Sequence, residues 1–272
     1  MDELRWNFRL YLHLLSANLR SQMQYRLSFW MDFLATLLGN GIGIFTLALV
    51  LSRFGNIAGW TIGEVALLAG MAETSFALMD MICSGIDPDY FSPMVRLGRL
   101  DQYLLRPVNL MVQLFGSRFL LRRLGRISEG LLVLTAAFLL TDIQWTVGKI
   151  LFIPVVILSQ VVSMGALFLI GSTITFWTVE RIEAMNMLTY GGVELMTYPM
   201  SIYPGWILRV FTYIVPMIFL NYYPALFILG KPDPLGFPAF APFLAPFVAI
   251  GMGTAALLFW SFGLKHYQST GT

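Results

Sequence analysis

The side chains in this chain that could do chemistry are, above all, carboxylates set in apolar surroundings. Glu64, Glu73 and Asp80 share one hydrophobic run, and Glu194 lies in another. Seven residues separate Glu73 from Asp80, two helical turns, so a helix presents both on one face. A carboxylate at membrane depth is costly and persists where it meets water or a partner. One reading makes Glu73 and Glu194 the lining of a translocation cavity for cationic or hydrogen-bonding cargo, with Tyr198 in the nearby aromatic cluster. The other pairs the acids within the protein: with Asn40, with Arg118, Arg122 and Arg126, or with a neighbouring subunit. Asp80 lies near enough to the inner face to serve those arginines.

Other chemistries find no residues to carry them. His13 and His266 stand at opposite ends, and Cys83 is the single cysteine. Neither a metal cluster, a nucleophile–base pair nor an internal disulfide is expected. No phosphate-cradling GxxxxGK[ST] segment occurs. No nucleic-acid partner is expected either.

A second group of polar residues forms an island, Pro93-Met-Val-Arg-Leu-Gly-Arg-Leu-Asp-Gln-Tyr-Leu-Leu-Arg-Pro-Val-Asn109. Arg96, Arg99, Asp101 and Arg106 alternate there with Leu97, Leu100 and Leu104, whose spacing places three leucines on one helical face. Ser92-Pro93 reads as an N-cap and first helical position. Gly98 interrupts the pattern, and Pro107 disfavours helix at Arg106. Two short helical pieces lying flat on the inner membrane face are expected, and such a surface is one that a soluble partner can push on.

The elements that hold these residues are membrane helices. Hydrophobic residues make up 57% of the chain and charged residues 12%, against about 25% charged in soluble domains. The fold class expected is an all-α integral membrane protein forming one domain over residues 1–272, with the lipid bilayer as its first partner. Residues 1–28 predict an amphipathic interfacial helix with Arg5, Arg9, Arg20 and Arg26 among its apolar side chains, too charged to span. A long arginine-bearing leader before the first apolar run does not fit a cleavable signal peptide.

Six transmembrane helices are expected: Phe33–Leu51, then about 61–83, 109–140, 150–179, 184–202 and 240–264. The third is the awkward one. Its clean apolar run, Gly130–Leu140, is too short, so the helix is expected to start at the inner headgroups with Arg118, Arg122 and Arg126 recurring as a snorkelling stripe. Nine of the thirteen prolines fall between Pro199 and Pro246. Pro204, Pro216 and Pro224 cut residues 203–230 into pieces too short for a hydrocarbon core of about 30 Å, which suits a re-entrant hairpin on the outer side. With this topology thirteen Lys and Arg lie inside and four outside, placing both termini in the cytoplasm.

The pattern as a whole resembles the ABC-2 class of transporter permeases, in particular a poorly characterised branch whose members often occur as adjacent permease pairs. The likeness is carried by Gly98-Arg-Leu-Asp-Gln-Tyr-Leu-Leu-Arg-Pro-Val-Asn109 and by Tyr213-Ile-Val-Pro-Met-Ile-Phe-Leu-Asn-Tyr-Tyr-Pro224, and it covers nearly the whole chain. The resemblance implies a coupling helix at residues 93–107 that docks on an ATPase, with Arg96, Leu97, Arg99, Leu100, Asp101, Leu104 and Arg106 as its contacts. It also implies two separate ATPase subunits carrying ATP and Mg, a second permease subunit, export, and the inner membrane of a prokaryote. The competing reading is an ion- or proton-coupled carrier using Glu73, Asp80 and Glu194 itself, though no inverted repeat is visible. An intramembrane enzyme is the weakest reading, because no catalytic constellation lies in the spans.

Overall fold

The computed structural model describes residues 2–54, 56–233 and 235–269, without the side chains of residues 2–4, 40, 44–45, 47–48, 50–52 and 54. The expected pairing of Glu73 or Asp80 with Asn40 therefore lies outside the described residues. Regular structure is helical, and the β-type pairing among the described residues is one isolated bridge, Ile57 with Trp60.

Helix α1 (Asp2–Gln24) is followed almost directly by α2 (Arg26–Phe54), whose 29 residues begin well before the expected Phe33. The centre is α3 (Ile62–Cys83). Its side chains are buried on all sides, because other helices surround it. Next come α4 (Pro88–Arg96), α5 (Arg99–Leu104) and α6 (Leu110–Ser117). The long helices α7 (Leu124–Leu140) and α8 (Val147–Thr178) pack on α3, as does the shorter α9 (Glu183–Thr197). Short α10 (Gly205–Arg209) and α11 (Tyr222–Leu229) precede α12 (Ala245–His266), which lies along α8.

Helices α3 and α7 approach closely because glycine stands at both sides of the contact. A Cβ on Gly130 would lie 2.8 Å from the Thr74 nitrogen, and one on Gly70 would lie 2.8 Å from the Leu134 nitrogen. Small residues let helix backbones meet where no hydrophobic force drives them together in lipid.

The continuous third helix expected over 109–140 is not what forms. Helix α6 ends at Ser117, Arg118 is extended, and the chain resumes through a 3₁₀ turn, Leu121–Arg123, into α7. No proline marks this break. It is held instead by distant partners, which a local pattern cannot display. The Gln22 amide donates to the Phe119 carbonyl and accepts from the Leu121 N–H at 3.0 Å. Ser84 donates to the Arg118 carbonyl at 2.8 Å, and the Leu120 N–H reaches the Met81 carbonyl. Backbone groups freed from a helix at membrane depth must find such partners.

Among the described residues, three helical stretches are long and apolar enough to cross a membrane: Ile62–Arg96, Val147–Thr178 and Ala241–His266. A fourth is a pair, Gly205–Ile214 and Met217–Leu229, bent by 81° at Pro216. At about 1.5 Å per residue, α7 with 17 residues and α9 with 15 fall short of a core of about 30 Å.

Contacts sort the loops into two groups. In one, Lys231 bonds the Gly59 carbonyl and the Glu64 carboxylate, both at 2.8 Å, and lies over the Trp60 ring. Gly63 meets Leu140 in the same neighbourhood. In the other, Arg96 pairs with Glu180 at 3.0 Å, Arg181 with Asp89 at 2.6 Å, and Asp101 accepts from Tyr267 and Ser269.

Candidate functional site

The charged island folds as two short helices, but it starts earlier than the Ser92-Pro93 pair suggested. Asp87 is the N-cap of α4, accepting the Asp89 N–H at 2.9 Å, and Pro88 takes the first helical position. Pro93 sits inside α4, past the first turn. Gly98, at φ 62°, makes the left-handed break that separates α4 from α5.

That break separates Leu97 from Leu100 and Leu104, which share α5, and burial then separates those two. Leu100 is fully buried, whereas Leu97 and Leu104 are 47% and 41% exposed, and Leu105 is 84% exposed. The apolar row open to a partner is therefore Leu97, Leu104 and Leu105, while Leu100 belongs to the core. Around it Arg99 and Arg106 are exposed, with Arg106 over the Tyr103 ring. Arg96 is committed to Glu180. Asp101 is committed to the C-terminal tail, through Tyr267 at 2.9 Å and Ser269 at 2.6 Å. Burial, together with the neighbouring carboxylate, pushes the Tyr267 hydroxyl up to about 12, so it stays a proton donor to Asp101.

The acids of the apolar helices stand in different surroundings. Glu73 accepts from the Arg126 Nε at 2.6 Å, with both side chains largely buried, and the guanidinium lies over the Phe76 ring. Asp80 lies 2.6 Å from the Arg123 Nε without hydrogen-bond alignment, which makes this a contact of charges. Glu129 is 6% exposed, and neither of its oxygens has a hydrogen-bond partner among the described residues. Glu194 is exposed on α9, and Tyr198 is half-buried at the end of that helix. Glu73 and Glu194 thus stand on different helices, and the structure engages the first and leaves the second open.

The family model for "ABC-2 family transporter protein" matches residues 37–271. The chain belongs to the ABC-2 permease family. It is a multi-pass membrane protein of the transporter class. No curated protein and no solved structure matches the chain.

The permease also has a polar hub that pattern reading passed over. Asn221 is fully buried; its amide donates to the carbonyls of Leu68 at 3.1 Å and Met196 at 2.7 Å. Its side-chain oxygen accepts from Gln160 at 3.0 Å, and Gln160 also reaches the Leu220 carbonyl. One asparagine thus joins α3, α8 and α9 to the bent segment before α11. The signal in the sequence was Gln160, the single amide in the long apolar run that forms α8, and Asn221 inside an aromatic stretch.

Proposed function

We propose that this permease is the membrane-spanning subunit of an ATP-driven exporter, forming half of the pathway and coupled to a separate ATPase through residues 93–107. The observation that carries this reading is the exposed row Leu97, Leu104 and Leu105, framed by Arg99 and Arg106, in a chain of this family. An ATPase docking there would push on a segment whose other side is anchored by buried Phe91, Met94, Val95 and Leu100. Two ATPase subunits, each supplying ATP and Mg, would serve two permease subunits, the second a related chain or another copy.

The same reading has six spans, both termini in the cytoplasm of a prokaryotic cell, and residues 203–230 as a re-entrant outer hairpin. Two things support the hairpin. The 81° bend lies in its middle, and its exit, Lys231, joins the loop that precedes α3. The rival reading, an ion- or proton-coupled carrier, asks for free carboxylates; Glu73 and Asp80 each lie 2.6 Å from a guanidinium, which leaves Glu194 alone of its three acids open.

The test is to replace Leu104 and Leu105 with Asp in the complex purified with its ATPase. Both side chains are exposed, so insertion and yield should not change. Interface anchors typically carry about 2 kcal/mol or more, so ATPase retention should fall by about thirtyfold and stimulated turnover should be lost. Wild-type retention and turnover in this variant would reject the docking role. Leu100 is unsuited to the test, because Asp at a fully buried position would damage the fold.

A further inference from the structure

The break between α6 and α7 opens a cavity of about 650 Å³, within the roughly 300–1,000 Å³ usual for small-molecule sites. Four guanidinium groups line it, those of Arg99, Arg118, Arg122 and Arg123. Arg123 is spent on Asp80. The other three have no carboxylate within 4.0 Å among the described residues.

The wall also holds Asp87 and Asp89, and both are occupied. Asp89 pairs with Arg181 at 2.6 Å, and Asp87 accepts the Asp89 N–H as the cap of α4. Arg118 lies over the Tyr90 ring, 4.5 Å from its centre. Stacking of this kind fixes a guanidinium in place and leaves its charge and edge N–H groups unspent. One cavity wall thus gathers three guanidinium groups that make no ion pair within 4.0 Å among the described residues.

The break explains how the arginines come to face the cavity. On a continuous helix, Arg118, Arg122 and Arg126 would form one stripe. The extended Arg118 and the 3₁₀ turn after it direct Arg118 and Arg122 to the cavity, while Arg126 goes to Glu73.

We propose that this cavity binds a phosphate-bearing anion, held by Arg99, Arg118 and Arg122. Guanidinium groups match phosphate oxygens in a bidentate fork, and the hydroxyls of Tyr90 and Tyr190 in the wall add donors. The proposal concerns this site alone and does not rest on coupling to an ATPase. The phosphate has two sources: the headgroup of an anionic phospholipid reaching in from the bilayer, or a soluble phosphate compound.

The full-length chain, purified in a neutral detergent, is titrated with short-chain phosphatidylglycerol and separately with pyrophosphate. Diacylglycerol serves as the phosphate-free control. Native mass spectrometry reads lipid binding and calorimetry reads pyrophosphate. Wild type should bind at least one of the two, and Arg118→Gln/Arg122→Gln should weaken that binding by about tenfold or more. Lys149→Gln, at the far end of α8, should not. Binding of phosphatidylglycerol alone assigns the lipid headgroup; binding of pyrophosphate, alone or as well, assigns a site open to soluble phosphate. Three results overturn the proposal: no binding of either probe, equal binding by the double variant, or equal binding of diacylglycerol. Should the double variant fail to fold, Arg122→Gln decides alone, since that side chain is exposed. It must weaken binding by about threefold or more.

Discussion

Replacing Glu73 with Leu tests whether the pair with Arg126 holds α3 against α7. Removing one partner of a buried ion pair strands the other charge, at a cost of about 3–5 kcal/mol. Here the two side chains keep 13% and 15% exposure, and Arg126 retains the Phe76 ring. Partial solvation and the ring lower the expected loss to about 2–3 kcal/mol. The double variant Glu73→Leu/Arg126→Leu removes both charges, and a buried pair exchanged for apolar side chains is often neutral or stabilising. The single variant should therefore melt lower by on the order of 5 °C and extract in poorer yield, and the double variant should recover both. Fluorescence-detected thermal unfolding of the detergent-solubilised protein reads the difference. A single variant as stable as wild type, or a double variant no better than the single, would refute the structural role of the pair. If the double variant is stable yet loses function, the charges of the pair serve the pathway.

Two further outcomes follow from the same contacts. Asn221→Ala removes three buried hydrogen bonds, each worth about 0.6 kcal/mol in membrane proteins, so stability should fall by about 2 kcal/mol in the same melt, and an unchanged melt would remove Asn221 as the hub. Cysteines placed at Ile202 and Lys231 should both react with an impermeant thiol reagent from the outside; reaction from opposite faces would make 203–230 a span.

The all-helical, membrane-embedded class was legible because a bilayer demands long apolar runs, and 57% hydrophobic composition leaves few other places for charge. The two pieces of the island were legible too, since Gly98 and Pro107 act through local backbone sterics. What escaped was set by distant partners. Leu97, Leu100 and Leu104 look equivalent in a helical pattern, but the left-handed turn at Gly98 sets Leu97 apart, and α5 ends at Leu104, so that Leu100 alone is core. The start at Asp87 escaped because two prolines, Pro88 and Pro93, both offer a first helical position, and the capping bond chose the earlier one. The broken third helix was invisible for a stronger reason. Gln22, nearly a hundred residues away, supplies the hydrogen bonds that make the break tolerable.

The long-range ties also join the island and the bent segment to the rest of this permease. The face of α4 opposite the exposed leucines is buried against α8, and its end is clamped by Arg96 to Glu180 at the α8–α9 turn. Asp89 holds the same turn through Arg181. Asp101 binds the tail of α12 through Tyr267. The 88–104 segment is thus tied to the turn between α8 and α9 and to the tail after α12. At the opposite end of the bundle Lys231 and Asn221 tie the bent segment to α3, α8 and α9. The proposed coupling would use these ties to carry a push on Leu104 toward the residues around Pro216.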